Sequence, residues 1–239
     1  MELRVAGMTS LPAGGVAVVA GAGGAIGAAI ADRLDADPGF ARVVRLSRSG
    51  VPSFDIGEEA SIIAATDHLR GCEIRLVVDA TGFLHDGMFR PEKALRDLDA
   101  AHLAHAFAIN AIGPALLMKH VLPLLPRHGR AVFATLSARV GSIGDNRLGG
   151  WYAYRASKAA LNQLVRTAAV ELRRSRPEAL AIALHPGTVH SHLSRPFAKG
   201  GLDVQTPEDA ARRILAVIDG LGPADHGGFL DQRGDTVPW

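Results

Sequence analysis

Apolar residues recur in short unbroken runs: VAVVAG (16–21), ARVVRLS (41–47), EIRLVVDATG (73–82), GRAVFATLS (129–137), LAIALHPG (180–187) and GGFLDQRG (227–234). A weaker candidate is VPSFDI, 51–56. Continuous runs, as opposed to alternating ones, suit strands covered on both faces, and stretches of helical period lie between them. The strand and helix order predicts an α/β fold, a doubly wound parallel sheet of about seven strands with helices on both faces. Ligands then belong beyond the carboxyl ends of the strands. Helix punctuation is clearest in TPEDAARRILAVI, where Thr206 can cap, Pro207 suits the first helical position and Asp209 stands three residues on. Ala210, Ile214, Val217 and Ile218 then share a face, and Gly220 and Gly222 end it. With no repeat, low-complexity tract or long linker, 1–239 reads as one domain.

Composition narrows the classes of function. The 239 residues are 48% hydrophobic, which argues against disorder. A net charge of +2 with arginines spread along the chain argues against nucleic acid as the main partner. The densest basic run, Arg173, Arg174 and Arg176, falls at a predicted helix end and reads as a solvated terminus. A single cysteine, Cys72, forms no intrachain disulfide and no Cys-x-x-Cys metal framework, so the expected compartment is reducing, the cytoplasm. Only Val16 to Ala31 resembles a targeting or membrane segment, and it is shorter than the ~20 residues that span a bilayer. Asp32 and Arg33 close it, and no membrane association is expected.

The first strand runs into AGAGGAIG, where Gly21, Gly23, Gly24 and Gly27 occupy a turn into a helix starting near Ile26. Gly21, Ala25 and Gly27 fit Gly-x-x-x-(Gly/Ala)-x-Gly. Such a turn either packs a strand against a helix or brings backbone amides and the helix N-terminus to a pyrophosphate. After the second strand, RLSRS offers Ser47 and Arg48 and no acid. A carboxylate there would favour NAD; a guanidinium pairs with a 2′-phosphate, so NADP(H) is expected over NAD(H) unless Arg48 is one more surface arginine.

Both tyrosines of the chain lie in GGWYAYRASKAALNQL. Residues four apart on a helix lie within about 40° of one face, which pairs Tyr154 with Lys158 and turns Tyr152 elsewhere. A nearby cation lowers a phenol from its ordinary pKa of about 10 by about one to three units. A phenol so tuned can hand a proton to a carbonyl oxygen as hydride arrives.

Six motifs in order make the whole chain resemble a short-chain dehydrogenase/reductase of the compact single-domain Rossmann branch: AGAGGAIG, FDI (54–56), DATG (79–82), NAIG (110–113), YRASK (154–158) and HPGTV (185–189). It is most similar to C-factor-like and sniffer-type carbonyl reductases. The resemblance implies Tyr154 as general acid/base and Lys158 on the nicotinamide ribose. It gives Asn110 an anchored water and Asp55 the adenine ring. Gly21, Gly23, Ala25, Ile26, Gly27, Ala80, Thr81 and Gly82 would line the cofactor, and Pro186, Gly187 and Val189 would border the nicotinamide. A small carbonyl or alcohol substrate and a homodimer or homotetramer follow from the same resemblance.

Three positions depart from it. Ala20 and Asp79 replace the usual Thr and Asn, which leaves a bridge between the first and fourth strands missing or rebuilt. Ala138 occupies the usual place of the substrate-polarising serine, so Ser137 is the candidate and Ser142 the alternative. These departures motivate a second class of function, an NADP(H)-binding signalling or regulatory protein. His190 with His192, and His102 with His105, lack a cysteine or carboxylate set, so no metal is expected. Loops 138–150 and 188–205 are assigned to the substrate, the second as a lid with Leu193, Pro196 and Phe197. Trp151 and Trp239 are left as core or subunit-contact residues.

Overall fold

The computed structural model describes residues 7–190 and 204–239. Its elements in chain order are β1 (Gly15–Ala20), α1 (Ala25–Asp35), β2 (Phe40–Leu46), α2 (Glu59–Asp67), β3 (Ile74–Asp79), α3 (Ala100–Phe107), α4 (Gly113–Val121), β4 (Ala131–Leu136), α5 (Tyr152–Ser175), β5 (Ala179–His185), β6 (Thr188–Val189), β7 (Val204–Gln205), α6 (Pro207–Gly220) and β8 (Phe229–Asp231). A π-helical turn, Ala108–Ile112, joins α3 to α4.

Six strands form one parallel sheet in the order β2-β1-β3-β4-β5-β8, and β6 pairs with β7 in a separate two-stranded ribbon. Among the described residues the doubly wound sheet has six strands where about seven were expected, and they are the six strong apolar runs; 51–56 does not join it. Pro52 has no N–H to donate, Phe54 donates back to the Ser47 carbonyl, and Asp55 accepts from Gly57 in a turn of its own. This leaves β2 at the edge, where exposed Arg42 and Arg45 discourage pairing with another chain.

Strand alternation divides the core. Val16, Val18 and Ala20 of β1 face a layer built from α2, α4 and α5, with Ile62, Leu117, Leu161 and Val165. Ala17 and Val19 face α1 and α6, with Ile30, Leu34, Ala210, Ile214 and Ile218. The whole of β1, β3 and β4 is buried, as unbroken apolar runs require. Thr206 caps α6 by accepting from the Asp209 N–H at 3.1 Å, with Pro207 at the first helical position.

Two readings of the sequence change. Arg176 is not a solvated end: its Nε donates to the Leu125 carbonyl at 2.6 Å, tying the end of α5 to the segment before β4. The run that matches a membrane span in length and hydropathy is Ala100–Leu124, not Val16–Ala31, which is β1, the first loop and the start of α1. That longer run is interrupted by the π-helical turn, carries Asn110, Lys119 and His120, and places Leu117, Met118 and Val121 in the core.

Candidate active site

The first loop is shaped by two close approaches. Gly21 has φ +77, and a Cβ there would lie 2.9 Å from the Ala80 carbonyl carbon and oxygen, so the loops after β1 and β3 touch only because it has no side chain. A Cβ on Gly27 would stand 2.2 Å from the Gly21 oxygen. The Gly21 and Ala22 N–H groups donate to the Leu46 carbonyl, which binds this turn to the end of β2. There Ser47 lies against Gly23, its Cβ 3.5 Å from where a Gly23 Cβ would be, and Arg48 is exposed. The first intrahelical bond of α1 runs from Ala28 to Gly24, so the N–H groups of Ala25, Ile26 and Gly27 have no acceptor within the helix. Exposed Gly23, Gly24 and Ala25 leave that helix end open to an anion. These features fit a dinucleotide pyrophosphate. Asp55, half-buried, accepts from the Gly57 N–H at its carboxylate and donates its own N–H to the Ser61 hydroxyl oxygen.

Asp79 is completely buried at the end of β3. One carboxylate oxygen accepts from the Thr81 N–H (3.0 Å) and hydroxyl (2.6 Å); the other accepts from the Thr135 hydroxyl at 2.7 Å. The side-chain bridge is thus rebuilt between β3 and β4, while Ala20 contributes only its carbonyl, to the Ala80 N–H. Asn110 projects from the π-helical turn, accepts from the Phe83 N–H (2.8 Å), and donates to the Phe83 carbonyl (2.8 Å) and the Ser157 hydroxyl (3.1 Å). It staples the loop after β3 to α5.

Tyr154 and Lys158 lie on the first turns of α5. A Cβ on Gly82 would be 3.7 Å from both the Lys158 Nζ and the Asn110 Oδ1, so the three meet at the carboxyl ends of β3 and β4. Lys158 is buried and donates to the Leu136 carbonyl at 2.8 Å. Desolvation lowers its ammonium to about 8 against the opposing pull of Asp79. The expectation of a lowered phenol is corrected: burial pushes Tyr154 up to about 12. The cause is removal of the phenolate from water, while Lys158, itself desolvated, is turned to a carbonyl.

The serine position reads differently from both expectations. Ser137, 3% exposed, donates to the Asn162 Oδ1 at 2.6 Å; Ser142, 1% exposed, donates to the Pro238 carbonyl and accepts from the Asp145 N–H. Asn162 is a side chain that can rotate, and its Nδ2 has no partner; the partners of Ser142 are backbone groups. Ser137 can therefore redirect its hydroxyl to a ligand, whereas Ser142 fixes loop 138–150 to the C-terminal segment. Ser142→Ala should lower stability by about 1–3 kcal/mol by orphaning buried backbone groups. Ser137→Ala should cost more in kcat than in Tm. Measuring both quantities for both variants separates the two roles, and a larger kcat loss in Ser142→Ala would reverse the assignment.

Pro186 and Gly187 follow β5, and Gly187 (φ +80) packs where a Cβ would be 2.5 Å from the Gln205 amide nitrogen. Gln205 holds the Pro186 carbonyl, and Val189, in β6, is buried. Thr188 and Val189 of β6 pair with Val204 and Gln205 of β7; His192, Leu193, Pro196 and Phe197, the residues assigned to a lid, lie outside the described residues. Among the described residues no group of three or more His, Cys, Asp or Glu could hold a metal. His102 instead pairs with the buried Glu92 at 3.2 Å and stacks on Phe89, and His105 meets Phe83 edge-on at 4.5 Å. Trp239 stacks on Phe229, and Trp151 lies edge-on to Tyr154 at 6.2 Å.

Glu92 was not legible in the sequence. Trp151, the residue before α5, is left-handed (φ 54) after the left-handed Gly149 and Gly150, and supplies no side-chain cap. Glu92 does this from the distant loop after β3: its carbonyl accepts from Trp151 at 2.6 Å and its carboxylate from the Ala153 N–H at 3.2 and 3.3 Å. A carboxylate there also meets the positive end of the helix that carries Tyr154. Asn162 could have been found, since it lies one turn after Lys158 on the same face.

Residues 15–214 match the family model described as enoyl-(acyl carrier protein) reductase. The chain belongs to the short-chain dehydrogenase/reductase family of NAD(P)-dependent oxidoreductases. Among its relatives is the C-signal of Myxococcus xanthus, 43% identical over 148 residues, which are 61% of this chain and 84% of the relative. Another is the 1-hydroxy-2-glutathionyl-2-methyl-3-butene dehydrogenase of Rhodococcus sp. (strain AD45), 32% identical over 188 residues and 79% of each chain. The NADPH-bound carbonyl reductase from chicken fatty liver superposes with a TM-score of 0.82 at 23% identity, over 100% of this chain and 99% of that one, and shows the shared fold.

Proposed function

We propose that this member of the family is an NADPH-dependent carbonyl reductase or alcohol dehydrogenase in which Tyr154 is the general acid/base. The observation that carries the reading is the convergence of Lys158, Asn110 and Gly82 at the open ends of β3 and β4, with Tyr154 one turn before Lys158 on α5, beside a first loop that fits a pyrophosphate. The bound nicotinamide supplies or takes up hydride. Tyr154, holding its proton at neutral pH, gives it to the carbonyl oxygen in reduction; Lys158 binds the ribose hydroxyls as an ammonium; Ser137 donates to the same carbonyl oxygen. Asn110 orders the loop after β3 against α5, so that Ala80, Thr81 and Gly82 face the cofactor. The chain acts as one nucleotide-binding unit with loops 138–150 and 188–205 around a small carbonyl or alcohol, as a homodimer or homotetramer. The single free thiol, Cys72, suits the cytoplasm.

NADPH consumption against a panel of aldehydes, ketones, diketones and quinones tests this, with saturable turnover of at least one class expected. Preference for NADPH rests on Arg48, which is exposed beside Ser47 at the end of β2 and free of any acid on its own loop. Arg48→Glu should raise KM for NADPH about tenfold or more, the worth of a charge-assisted hydrogen bond, and spare KM for NADH. A parent enzyme that already prefers NADH would remove Arg48 from the argument.

A second reading has one observation in its favour: Ala138 leaves the serine place empty of a hydroxyl, and both neighbouring hydroxyls donate within the protein. In that reading NADP(H) is sensed, not turned over. Tight NADPH binding with no turnover on the whole panel, and a partner captured only with cofactor, would establish it.

A further inference from the structure

The carboxylate of Asp79 is not needed for the hydrogen bonds it makes. An asparagine could accept both bonds from Thr81 through its oxygen and donate to the Thr135 hydroxyl through its nitrogen, in the same volume. The charge therefore requires a separate reason, because a wholly buried carboxylate without a cation is costly. Lys158 poses the converse problem. Its ammonium is buried and donates to the neutral Leu136 carbonyl. The two charges are held at adjoining positions without a direct ion pair: Thr135 of β4 donates to the carboxylate, the carbonyl of Leu136, the next residue, accepts from the ammonium, and Thr81 and Gly82 of the loop after β3 touch one each.

The groups around the pair are otherwise uncharged. From β4 come the Thr135 hydroxyl and Leu136 carbonyl, from β1 Ala20, from the loop after β3 Thr81 and Gly82, from loop 138–150 Gly141, and from the π-helical turn Asn110. The remaining titratable group nearby is the neutral phenol of Tyr154, one turn earlier on α5. Among the described residues, Asp79 is the one charge that acts on Lys158, and it acts to keep the proton on.

We propose that Asp79 is the counter-charge of Lys158: a positioning residue that touches neither substrate nor cofactor but holds the lysine cationic, so that it can bind the ribose and stabilise a developing phenolate. This rests on the role given to Lys158 above. Losing the carboxylate leaves desolvation unopposed, so the lysine releases its proton at lower pH and the alkaline limit of activity moves toward neutrality.

The chain has four lysines, Lys93, Lys119, Lys158 and Lys199, so 13C labelling of the lysine side chains gives a spectrum in which Lys158 is identified by its loss in Lys158→Arg. In Asp79→Asn the Lys158 titration midpoint should fall by about one pH unit or more, the effect of removing an opposite charge at close range. The alkaline limb of kcat/KM should shift in the same direction, with the acid limb unmoved. Should Asp79→Asn not accumulate as folded protein, Asp79→Ser, which removes the charge and leaves a hydroxyl for Thr81 and Thr135, carries the same expectation. An unchanged Lys158 midpoint in the folded variant overturns the proposal. A lowered midpoint in a protein that turns over no carbonyl supports the counter-charge and rejects the reductase reading instead.

Discussion

Replacing Tyr154 by phenylalanine should lower kcat for carbonyl reduction by about 10²–10⁴-fold, the worth of a positioned general acid, with KM for NADPH little changed. The ring is retained, so its packing and the edge-on contact with Trp151 persist, and only the transferable proton is lost. Steady-state kinetics with one carbonyl substrate checks the outcome, and kcat within threefold of the parent would sink the assignment. The pH profile carries a second part of the same expectation. With the phenol at about 12, the general acid stays protonated far above neutrality, so it does not set the alkaline limit for reduction. Lys158, at about 8, does: raising the pH through that value removes the cation to which ribose binding is assigned in the proposed function. Reduction should therefore be level below about pH 8 and fall above it. Oxidation of the alcohol, which needs the phenol to accept a proton, should peak at higher pH than reduction does.

Gly27→Ala should be the most damaging single methyl in the cofactor region. Its Cβ would sit 2.2 Å from the Gly21 oxygen and 2.8 Å from the Gly21 carbonyl carbon, and backbone cannot swing aside as a flexible side chain can. Either α1 or the first loop must move, at a cost of about 1–3 kcal/mol in stability. The Gly21 turn would move with it, and Gly21 also packs against Ala80 and Thr81, so the cradle for the dinucleotide would open on two sides. KM for NADPH should rise about tenfold or more, a loss of roughly 1.4 kcal/mol of binding. Gly23→Ala is the control. Its Cβ would make only an ordinary 3.5 Å contact with Ser47, so its Tm should stay near that of the parent. Thermal melts and cofactor titrations of the two variants compare steric disturbance of the loop with simple loss of a glycine.

The sequence by itself determined the parallel sheet, because strands buried on both faces must be continuously apolar, and those six runs are the six strands observed. It also determined the pairing of Tyr154 with Lys158, since helical period fixes which residues share a face, and the cap at Thr206, since capping is a local hydrogen bond. What depended on distant contacts was decided only by the tertiary structure. The segment at 51–56 has strand-like composition, yet it stays out of the sheet because Pro52 has no N–H and the N–H groups of Phe54 and Asp55 are spent on Ser47 and Ser61. Nothing local marks Glu92, because it caps α5 from some sixty positions earlier in the chain. The state of the phenol could not be read from its spacing to Lys158 either, because desolvation depends on how many layers of protein surround each group, and here it raises the phenol. The same burial bears on Asp79: in the sequence it is an acid where an amide is usual, and in the fold it is wholly buried, held by Thr81 and Thr135.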